Sequence, residues 1–595
     1  MPRHVSLLLA VMLLHSGCDG TDLRPESIAN VTNEGPSADA PTTGDDQPLD
    51  DAEAVSVPDG DAAADVDSTP AADGSVTPMD TPGRVDPRDT SDGQAEAGDD
   101  PSQSEDMSTQ PMDGSVAADS DLAGADVPMV PRSDRPTFDA YTDLIVDNPV
   151  KRRYGIAITD FDNDGDFEAI VTGYGGANEV LDYRQGQLVD ITPVSLRDEG
   201  RRAIGVAACD ITGDGREEIY FLNVDRFGGL GEVSDRLYRR SGTEWDDLFE
   251  LEANSSAINR FAGRSVACLD RNGDGQYGVF VANYGGPMKL FELGAGDRLV
   301  DRGPEAGIDL TTGGRSLIVL PGENGLDLFA GNERGANFYF ANQGEGAFAE
   351  EAGPRGVADA FETVRGVAMI DANRDGLLDL VYGNWEGPHR LFLRQPDGTF
   401  RNAAPPAMAA PSRIRTVIAA DFDNDGTEEL FWNNIGQPNR LFKYDEGTWV
   451  PADIGDALEP DGLGTGAAIV DLDEDGVLEL LVAHGESGAQ PLSLYRWGQT
   501  ANHFLRVFPK TRQGGPARGA TVTLTMADGR TQRRVIDSGS GYLCQMEPVA
   551  HFGLGQDQAV ASIDVRWPNG LTKRIEQPNV DTKLIVDYPD ERAPE

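Results

Sequence analysis

The residues of this chain that could do chemistry are carboxylates on alternate positions. In DFDNDGTEE at 421–429, Asp421, Asp423 and Asp425 hold loop positions 1, 3 and 5, Gly426 holds position 6 and Glu429 position 9. Hard oxygen ligands on alternate residues, with a Gly at the sharp turn, are what a short loop offers Ca²⁺, and the backbone carbonyl at position 7, here Thr427, adds a donor. A helix-flanked calcium loop would also need a bidentate Glu at position 12, where this chain has Trp432 inside the strand-like run LFWNN. The expected chemistry is therefore cation binding at a turn between two strands.

Near-copies of this loop are DFDNDGDFE from 160, DITGDGREE from 210, DRNGDGQYG from 270, DANRDGLLD from 371 and DLDEDGVLE from 471. The six starts are separated by 50, 60, 101, 50 and 50 residues, so the long gap should hide another unit. LIVLPGENGLDLFAGN at 317–332 fits it: the apolar flanks and the Asn-Gly turn remain, but the acids and one residue are gone. Recurrence at a near-constant period is the signature of a repeat architecture.

The elements that must position these loops repeat with them. One apolar strand enters each loop (GIAITD, GVAACD, GVAMID, VIAAD, AAIVD) and a second leaves it (FEAIVTGY, EIYFLN, LDLVYGN, EELFWNN, LELLVAH). A third carries a Leu-aromatic pair (RLY at 236–238, KLF at 289–291, RLF at 390–392 and 440–442, SLY at 493–495), and a fourth is marked by Phe348, Phe400 or Trp449. Four short strands per unit, seven times over, predict an all-β, seven-bladed β-propeller at 136–498. The last unit has no fourth strand after Trp497, and PTFDAYTDL at 136–144 has the pattern to supply it and close the ring.

The repeats resemble the FG-GAP/VCBS-type repeats of integrin alpha-subunit propellers and, more closely, the propellers of the cartilage acidic protein family. That resemblance implies Ca²⁺ as cofactor, acidic loops joining strands 1 and 2 on a bottom face, and 4–1 and 2–3 loops on a top face that binds partners. The ligands it implies are Asp160, Asp162, Asp164 and Glu168; Asp210, Thr212, Asp214 and Glu218; Asp371, Asn373, Asp375 and Asp379; Asp421, Asp423, Asp425 and Glu429; and Asp471, Asp473, Asp475 and Glu479. The third loop offers Asp270, Asn272 and Asp274 but has Gly278 at position 9, so weaker binding is expected there. Unneutralised, such clusters would repel themselves, so the role expected of calcium is structural.

A second recurrence lies at the other end of strand 1. Counting back from each loop start, Arg153 stands at −7, Arg202 at −8, Arg264, Arg365 and Arg415 at −6, with Arg315 in the shortened fourth unit and Thr465 in the seventh. Six residues at about 3.3 Å place these guanidinia about 20 Å from the acidic loops, around the top mouth of the channel. The neighbouring 2–3 loops carry Tyr174, Phe227, Tyr284, Trp385 and Asn434. The arginines could pair with acids of neighbouring blades; alternatively they form an anion-binding ring, with Tyr284 and Trp385 as stacking surfaces for an acidic glycan or protein partner. Cys209 and Cys268 fall at −1 and −2 in adjacent blades, on opposite faces of their strands, and are expected to be free buried thiols.

After Trp497 the period stops, and residues 499–590 show short alternating strands of a second, small all-β domain. GPARGATVTL at 515–524, SGSGYLCQ at 538–545, HFGLG at 551–555 and VRWPNG at 565–570 closely match the ASPIC/UnbV domain, the usual companion of these propellers; Cys544 departs from the small polar residue usual there. His551 before Phe-Gly-Leu-Gly reads as a packed structural residue.

At the other end, residues 1–18 read as an export signal: Arg3 and His4, an apolar run from Val5 to Leu14 too short to cross a bilayer, then Ser16-Gly17-Cys18. A small-small-Cys ending resembles a bacterial lipobox, with His15 where Leu is usual, and implies a lipid on Cys18 and attachment to the outer membrane or cell surface. Residues 19–135 form an acidic linker; 19–131 has no aromatic residue and carries 28 acids against 3 bases, the composition of a disordered tether.

The formal net charge of −53 excludes nucleic acid as a partner and suits a secreted, calcium-bathed setting. Propellers host calcium-assisted polysaccharide lyases and hydrolases as well as adhesion proteins, and fold alone does not choose. The repeats hold only His389 and His484, in different blades, with no nucleophile elbow, zinc motif or Gly-rich phosphate loop, which favours binding over catalysis and assigns no catalytic residue.

Overall fold

A computed structural model of the chain describes residues 136–589. The chain divides into residues 1–101 and 102–595, and every described residue belongs to the second part. The export signal, Cys18 and the acidic linker 19–135 lie outside the described residues.

Seven four-stranded antiparallel blades follow one another, each in the order 1-2-3-4. Blade one is Arg153–Thr159, Glu168–Gly173, Glu179–Arg184 and Gln187–Asp190; blade six is Ile414–Ala420, Glu429–Asn434, Arg440–Asp445 and Thr448–Ala452. Inner strands such as Gly263–Leu269 and Gly464–Val470 are buried at every residue, because a neighbouring blade covers each face. This is why they read as continuous apolar runs and not as alternation. Blades three and four share one eight-stranded sheet, since Gly278–Pro287 also pairs with Thr311–Pro321 at Tyr284↔Gly313.

Antiparallel order puts the 1–2 and 3–4 connections on one face and the 2–3 and 4–1 connections on the other. Blade seven takes Gly464–Val470, Glu479–His484 and Ser493–Trp497 from its own repeat and its fourth strand, Phe138–Ala140, from the start of the described chain. Phe138 is fully buried, with its ring edge-on to Phe422 at 4.9 Å and to Trp497 at 5.0 Å. Deeply buried aromatic contact of this kind supplies the stability that three short β-bridges could not.

Cys209 and Cys268 form a disulfide, with Cα atoms 5.6 Å apart, which corrects the expectation of free thiols. Facing opposite sides of their strands is what brings them together: one face of blade two packs on the opposite face of blade three.

The C-terminal module has two sheets. His503–Pro509 lies between Ala550–Gly555 and, in parallel, Lys583–Val586; the second sheet runs Thr531–Val535, Thr521–Met526, Val560–Arg566, Thr572–Glu576. HFGLG is thus the greater part of a strand. The SGSGYLCQ stretch is a finger inserted into the channel of the propeller. Cys268 N–H donates to the Ser538 carbonyl at 2.7 Å, Gly541 and Val367 exchange backbone bonds at 2.7 and 2.8 Å, and Gln545 N–H donates to Ile156 O at 2.9 Å. Tyr542, Leu543 and Cys544 are all buried, and burial pushes the Cys544 thiol up to about 12. Gly539, at φ 132, lies so near Val266 and Ala267 that a Cβ would sit 2.7 Å from a backbone oxygen.

Replacing the closing aromatic, Phe138→Ala, is expected to cost about 3–5 kcal/mol, read as a lower urea midpoint. A change under about 1 kcal/mol would mean that the ring closes without this strand.

Candidate metal centre

Each acidic turn is folded by its own carboxylates. The position-1 Asp accepts the N–H of the position-6 Gly through Oδ2: Asp210 from Gly215, Asp270 from Gly275, Asp371 from Gly376, Asp421 from Gly426 and Asp471 from Gly476, all at 2.9–3.0 Å. The position-5 Asp accepts the N–H two residues on, as Asp164 does from Asp166 and Asp425 from Thr427. The position-9 acid accepts the position-2 N–H, as Glu168 does from Phe161 at 2.6 Å and Glu429 from Phe422 at 3.0 Å. Backbone N–H groups thus take one oxygen of some acids and both of others, as at Asp210, Asp270, Asp371 and Asp471, and the carboxylates of a loop are left facing one another.

In three loops those oxygens converge. Asp160, Asp162 and Glu168; Asp421, Asp423 and Asp425; and Asp471, Asp473 and Glu479 each bring ligand atoms within 4.8 Å of one another and could hold a metal ion. Asp160 Oδ1, Asp162 Oδ1, Glu168 Oε1 and Asp421 Oδ1 are buried with no hydrogen-bond partner. An oxygen-only donor set with orphaned carboxylate atoms fits a hard divalent cation. Asp164, Glu429 and Asp475 belong to these loops but not to the converged sets.

The remaining loops differ. In the second, Thr212 Oγ1 donates to Glu218 Oε1 at 3.1 Å, so two of the expected ligands bind each other beside Asp210 and Asp214. In the fifth, Asn373 Nδ2 donates to Asp375 Oδ2 at 2.9 Å, and Asp379 accepts from Ala372 and Arg394 beside Asp371. The third has the same Asn272–Asp274 bond, with Asp270 accepting three N–H groups. The seventh converges, but Arg496 sits on Asp473 at 2.9 Å and contacts Asp475, while Arg506 lies 2.9 Å from Asp471. Loops one and six are the ones that keep buried carboxylate oxygens without a hydrogen-bond partner.

At the opposite mouth the ring of six corresponding arginines becomes four. Strand 1 carries a bulge near its top end, between Gly263 and Ser265, Gly314 and Ser316, Val364 and Val367, and Ile414 and Thr416. Arg264, Arg315, Arg365 and Arg415 stand in those bulges, which re-aim a side chain relative to the pleat. The bulge falls at the −6 register, occupied in blades one, two and seven by Tyr154, Ile204 and Thr465; Arg153 and Arg202, one and two residues earlier, do not join the cluster. Arg153 is held by Glu179 through Nε at 2.5 Å, and Arg202 is exposed over the Tyr174 ring.

The four guanidinia are buried under aromatic rings. Arg264 and Arg315 lie against Phe227 and Tyr284, and Arg365 and Arg415 against Trp385, at 4.0–5.6 Å. Glu333 pairs with Arg315 and, at 3.5 Å, with Arg365; Glu486 pairs with Arg415 at 3.0 Å. Among the described residues Arg264 hydrogen-bonds only to the Gly263 and Phe227 carbonyls. Burial and the neighbouring Arg315 lower Arg264 to about 10 and Arg365 to about 9. Inter-blade pairing, the first of the two readings of these residues, accounts for two of the four, Arg365 with Glu333 and Arg415 with Glu486; Arg315 pairs with Glu333 of its own blade, and Arg264 forms no ion pair among the described residues. From below, the finger brings the Tyr542 ring to 6.0 Å from the Arg415 guanidinium.

The histidines are structural in geometry. His389 Nδ1 accepts the Asn384 N–H and its Nε2 faces Ser412; His484 faces the Pro491 carbonyl and Glu459. His551 lies 2.6 Å from Asn424 Oδ1 of the sixth loop. Sequence reasoning missed this contact, and the HFGLG motif was the only signal for it.

A family model described as ASPIC and UnbV matches residues 510–593, and one described as an FG-GAP-like repeat matches 160–221, 371–432 and 421–482. Cartilage acidic protein 1 of Xenopus tropicalis is 46% identical over 502 residues, covering 77% of this chain and 77% of its own length. The protein of that name from Homo sapiens is 45% identical over 500 residues, 76% of each chain. Among solved structures, the BP39L lectin from Burkholderia pseudomallei aligns with a TM-score of 0.40 at 13% identity, over 59% of this chain and 97% of the lectin. BBS1N, crystallised with ARL6DN, aligns with a TM-score of 0.39 at 11% identity, over 62% and 99%.

Burial, then neighbouring acids, raises the loop-one carboxyls: Glu168 to about 9, Asp160 and Asp162 upward. Without a cation the folded state keeps protons that the unfolded chain has released, so stability falls as pH rises from the ordinary Glu value of 4.5 toward about 9. A bound cation would replace those protons. The gain in melting temperature in several millimolar Ca²⁺ over EDTA should therefore be larger at high pH than at low pH, and Asp421→Asn should reduce it more than Asn272→Ala does. An equal gain across the pH range would contradict the assignment of these groups.

Proposed function

The chain belongs to the cartilage acidic protein family, and from that membership we propose that it is an extracellular, adhesion-like recognition protein whose propeller is stabilised by calcium. Bound at the acidic turns, calcium would supply charge neutralisation and a fixed strand 1–2 geometry, at extracellular-type affinities of roughly 10⁻⁴–10⁻³ M. The lipobox-like Ser16-Gly17-Cys18 is the reason to propose attachment through a lipid. Incorporation of a labelled fatty acid, lost in Cys18→Ala, tests that attachment.

The observation that carries the recognition reading is one-sided exposure. Phe361 is 100% exposed, Val194 89%, Val150 67% and Leu230 59%. These residues, with the less exposed Tyr141, Phe227, Leu251 and Leu310, are all in 2–3 or 4–1 connections. Single exposed apolar residues are ordinary, but their confinement to one face of a propeller whose other face meets the C-terminal module is not. The same face surrounds four arginines with Glu333 and Glu486 as the acids paired with them among the described residues, a local reversal of sign in a chain of net charge −53. The partner chemistry that complements it is anionic with apolar surface: an acidic glycan or an acidic protein segment.

Immobilised sulfated polysaccharide and a panel of acidic peptides, probed with the full chain in calcium, test this. Phe361→Asp and Leu230→Asp should abolish retention while leaving the melting temperature within about 1 °C, since exposed substitutions cost little. Arg365→Gln separates the roles of the cluster: a large fall in melting temperature with retention unchanged would make it scaffolding and remove the anionic partner from the reading.

A further inference from the structure

The sixth acidic loop is gripped by the C-terminal module at three of its residues. Asp421 Oδ2 accepts the N–H of Gly426 inside the loop at 2.9 Å and also that of Gly553 in the module at 3.1 Å. The Asp423 carbonyl accepts Asn502 Nδ2 at 2.8 Å. Asn424 accepts the Gly555 N–H on its carbonyl at 2.8 Å, and its side-chain oxygen meets His551 Nε2 at 2.6 Å. The approach is too close for any side chain on Gly553: a Cβ there would overlap Asp421 Oδ2 and lie 2.5 Å from Asn424 Cα.

The same residues make up a converged cation cluster. Both bonds from the module and the turn fall on Asp421 Oδ2, which leaves Oδ1 buried, unpartnered and within reach of Asp423 and Asp425. Asp421 itself is 1% exposed. Without a cation, three carboxylates held within 4.8 Å repel one another, and any opening of the turn moves the carbonyls of Asp423 and Asn424 that the module grips. With a cation, the repulsion becomes attraction and the turn is fixed in the geometry that fits the module. In loop one, by contrast, the module's hydrogen bond is a single one, from Lys583 Nζ to the Gly165 carbonyl at 3.1 Å, and Asp160, Asp162 and Glu168 take none from it among the described residues.

We propose that the sixth loop is a cation site completed by the C-terminal module, and that a divalent cation bound there locks the module onto the propeller. This rests on reading the acidic loops as cation sites. Cation and module select one conformation of residues 421–426, so by linkage each must strengthen the binding of the other. The finger moves with the module, so a cation on one face also holds Tyr542 against the arginine cluster on the other.

Hydrogen–deuterium exchange on the full chain tests the lock through the finger amides, Gly541 and Gln545, whose bonds to Val367 and Ile156 exist only while the module is seated. Transfer from excess CaCl₂ to EDTA should speed their exchange about tenfold or more. Asp421→Asn should do the same in the presence of calcium, whereas Asp160→Asn should reduce the calcium gain in melting temperature without opening the finger. Gly553→Ala should weaken one calcium site in a calorimetric titration and leave the others unchanged. If EDTA lowers the melting temperature but finger exchange stays as it was in calcium, the lock is refuted and the cation sites stand. If EDTA changes neither, the cation reading itself fails. Should Asp421→Asn not fold, the comparison of the unaltered chain in calcium and EDTA decides alone.

Discussion

Desolvated carboxylates held close together are the constraint on which this structure turns. The acidic loops fold by spending carboxylate oxygens on backbone N–H groups, and in three of them the ligand atoms are brought within 4.8 Å of one another. That arrangement is stable only if positive charge arrives. The chain has few bases, 49 against 102 acids, and several are delivered to the acidic face by the C-terminal module. Arg506 meets Asp471 and Glu547, Arg518 meets Glu217, Arg534 meets Glu428, and Lys583 meets Glu474. At Asp160 and Glu168, which no ion pair reaches among the described residues, and at Asp162, which Arg184 approaches only to 3.6 Å, orphaned oxygens remain.

The finger solves a second problem created by the ring. The inner strand of each blade presents one edge to the channel, and unpaired backbone groups there would be buried without partners. Backbone from 538–545 bonds to inner strands of blades one, two, three and five, at Ile156 and Ile158, Val206, Cys268 and Val367. Buried ion pairs such as Arg518 with Glu217 add little net stability, but losing one partner would strand the other charge, so they act chiefly to forbid any other seating of the module.

Much of the fold was legible because the period of the acidic loops counts the blades, and because Phe138 carries the aromatic mark of a fourth strand that the last repeat lacks. The position of a loop residue also foretold which oxygens share a turn. Three-dimensional convergence was less legible: Thr212 and Asn373 are acceptable ligands by type, yet a hydroxyl and an amide can donate, and here they close hydrogen bonds on their own neighbours. The arginine register failed by one or two residues because a bulge inserts an unpaired position that no alternation pattern reveals. The Cys209–Cys268 disulfide was missed because strand faces were compared as though the two strands lay in one sheet, whereas opposite faces meet between blades. That SGSGYLCQ would leave its own domain had no counterpart in periodicity; its small residues at Gly539 and Gly541 were the only trace of a segment passing through a narrow space.

The closing strand bears on the order in which this protein can be made. Thr142 donates no strand pairing of its own but receives the Leu494 N–H across 352 residues, so the segment that completes blade seven is synthesised long before its partner. At about 5–20 residues per second the wait is roughly 20–70 s. Throughout that interval blades one to six can form in sequence, each packing on the last, while the ring stays open and the first strand stays unsatisfied. The finger lies further on still, so residues 538–545 emerge only after every strand that lines the channel they fill. Chain order alone therefore lets the two most distant segments of the ring join only late, and its central plug only after all its strands have been made.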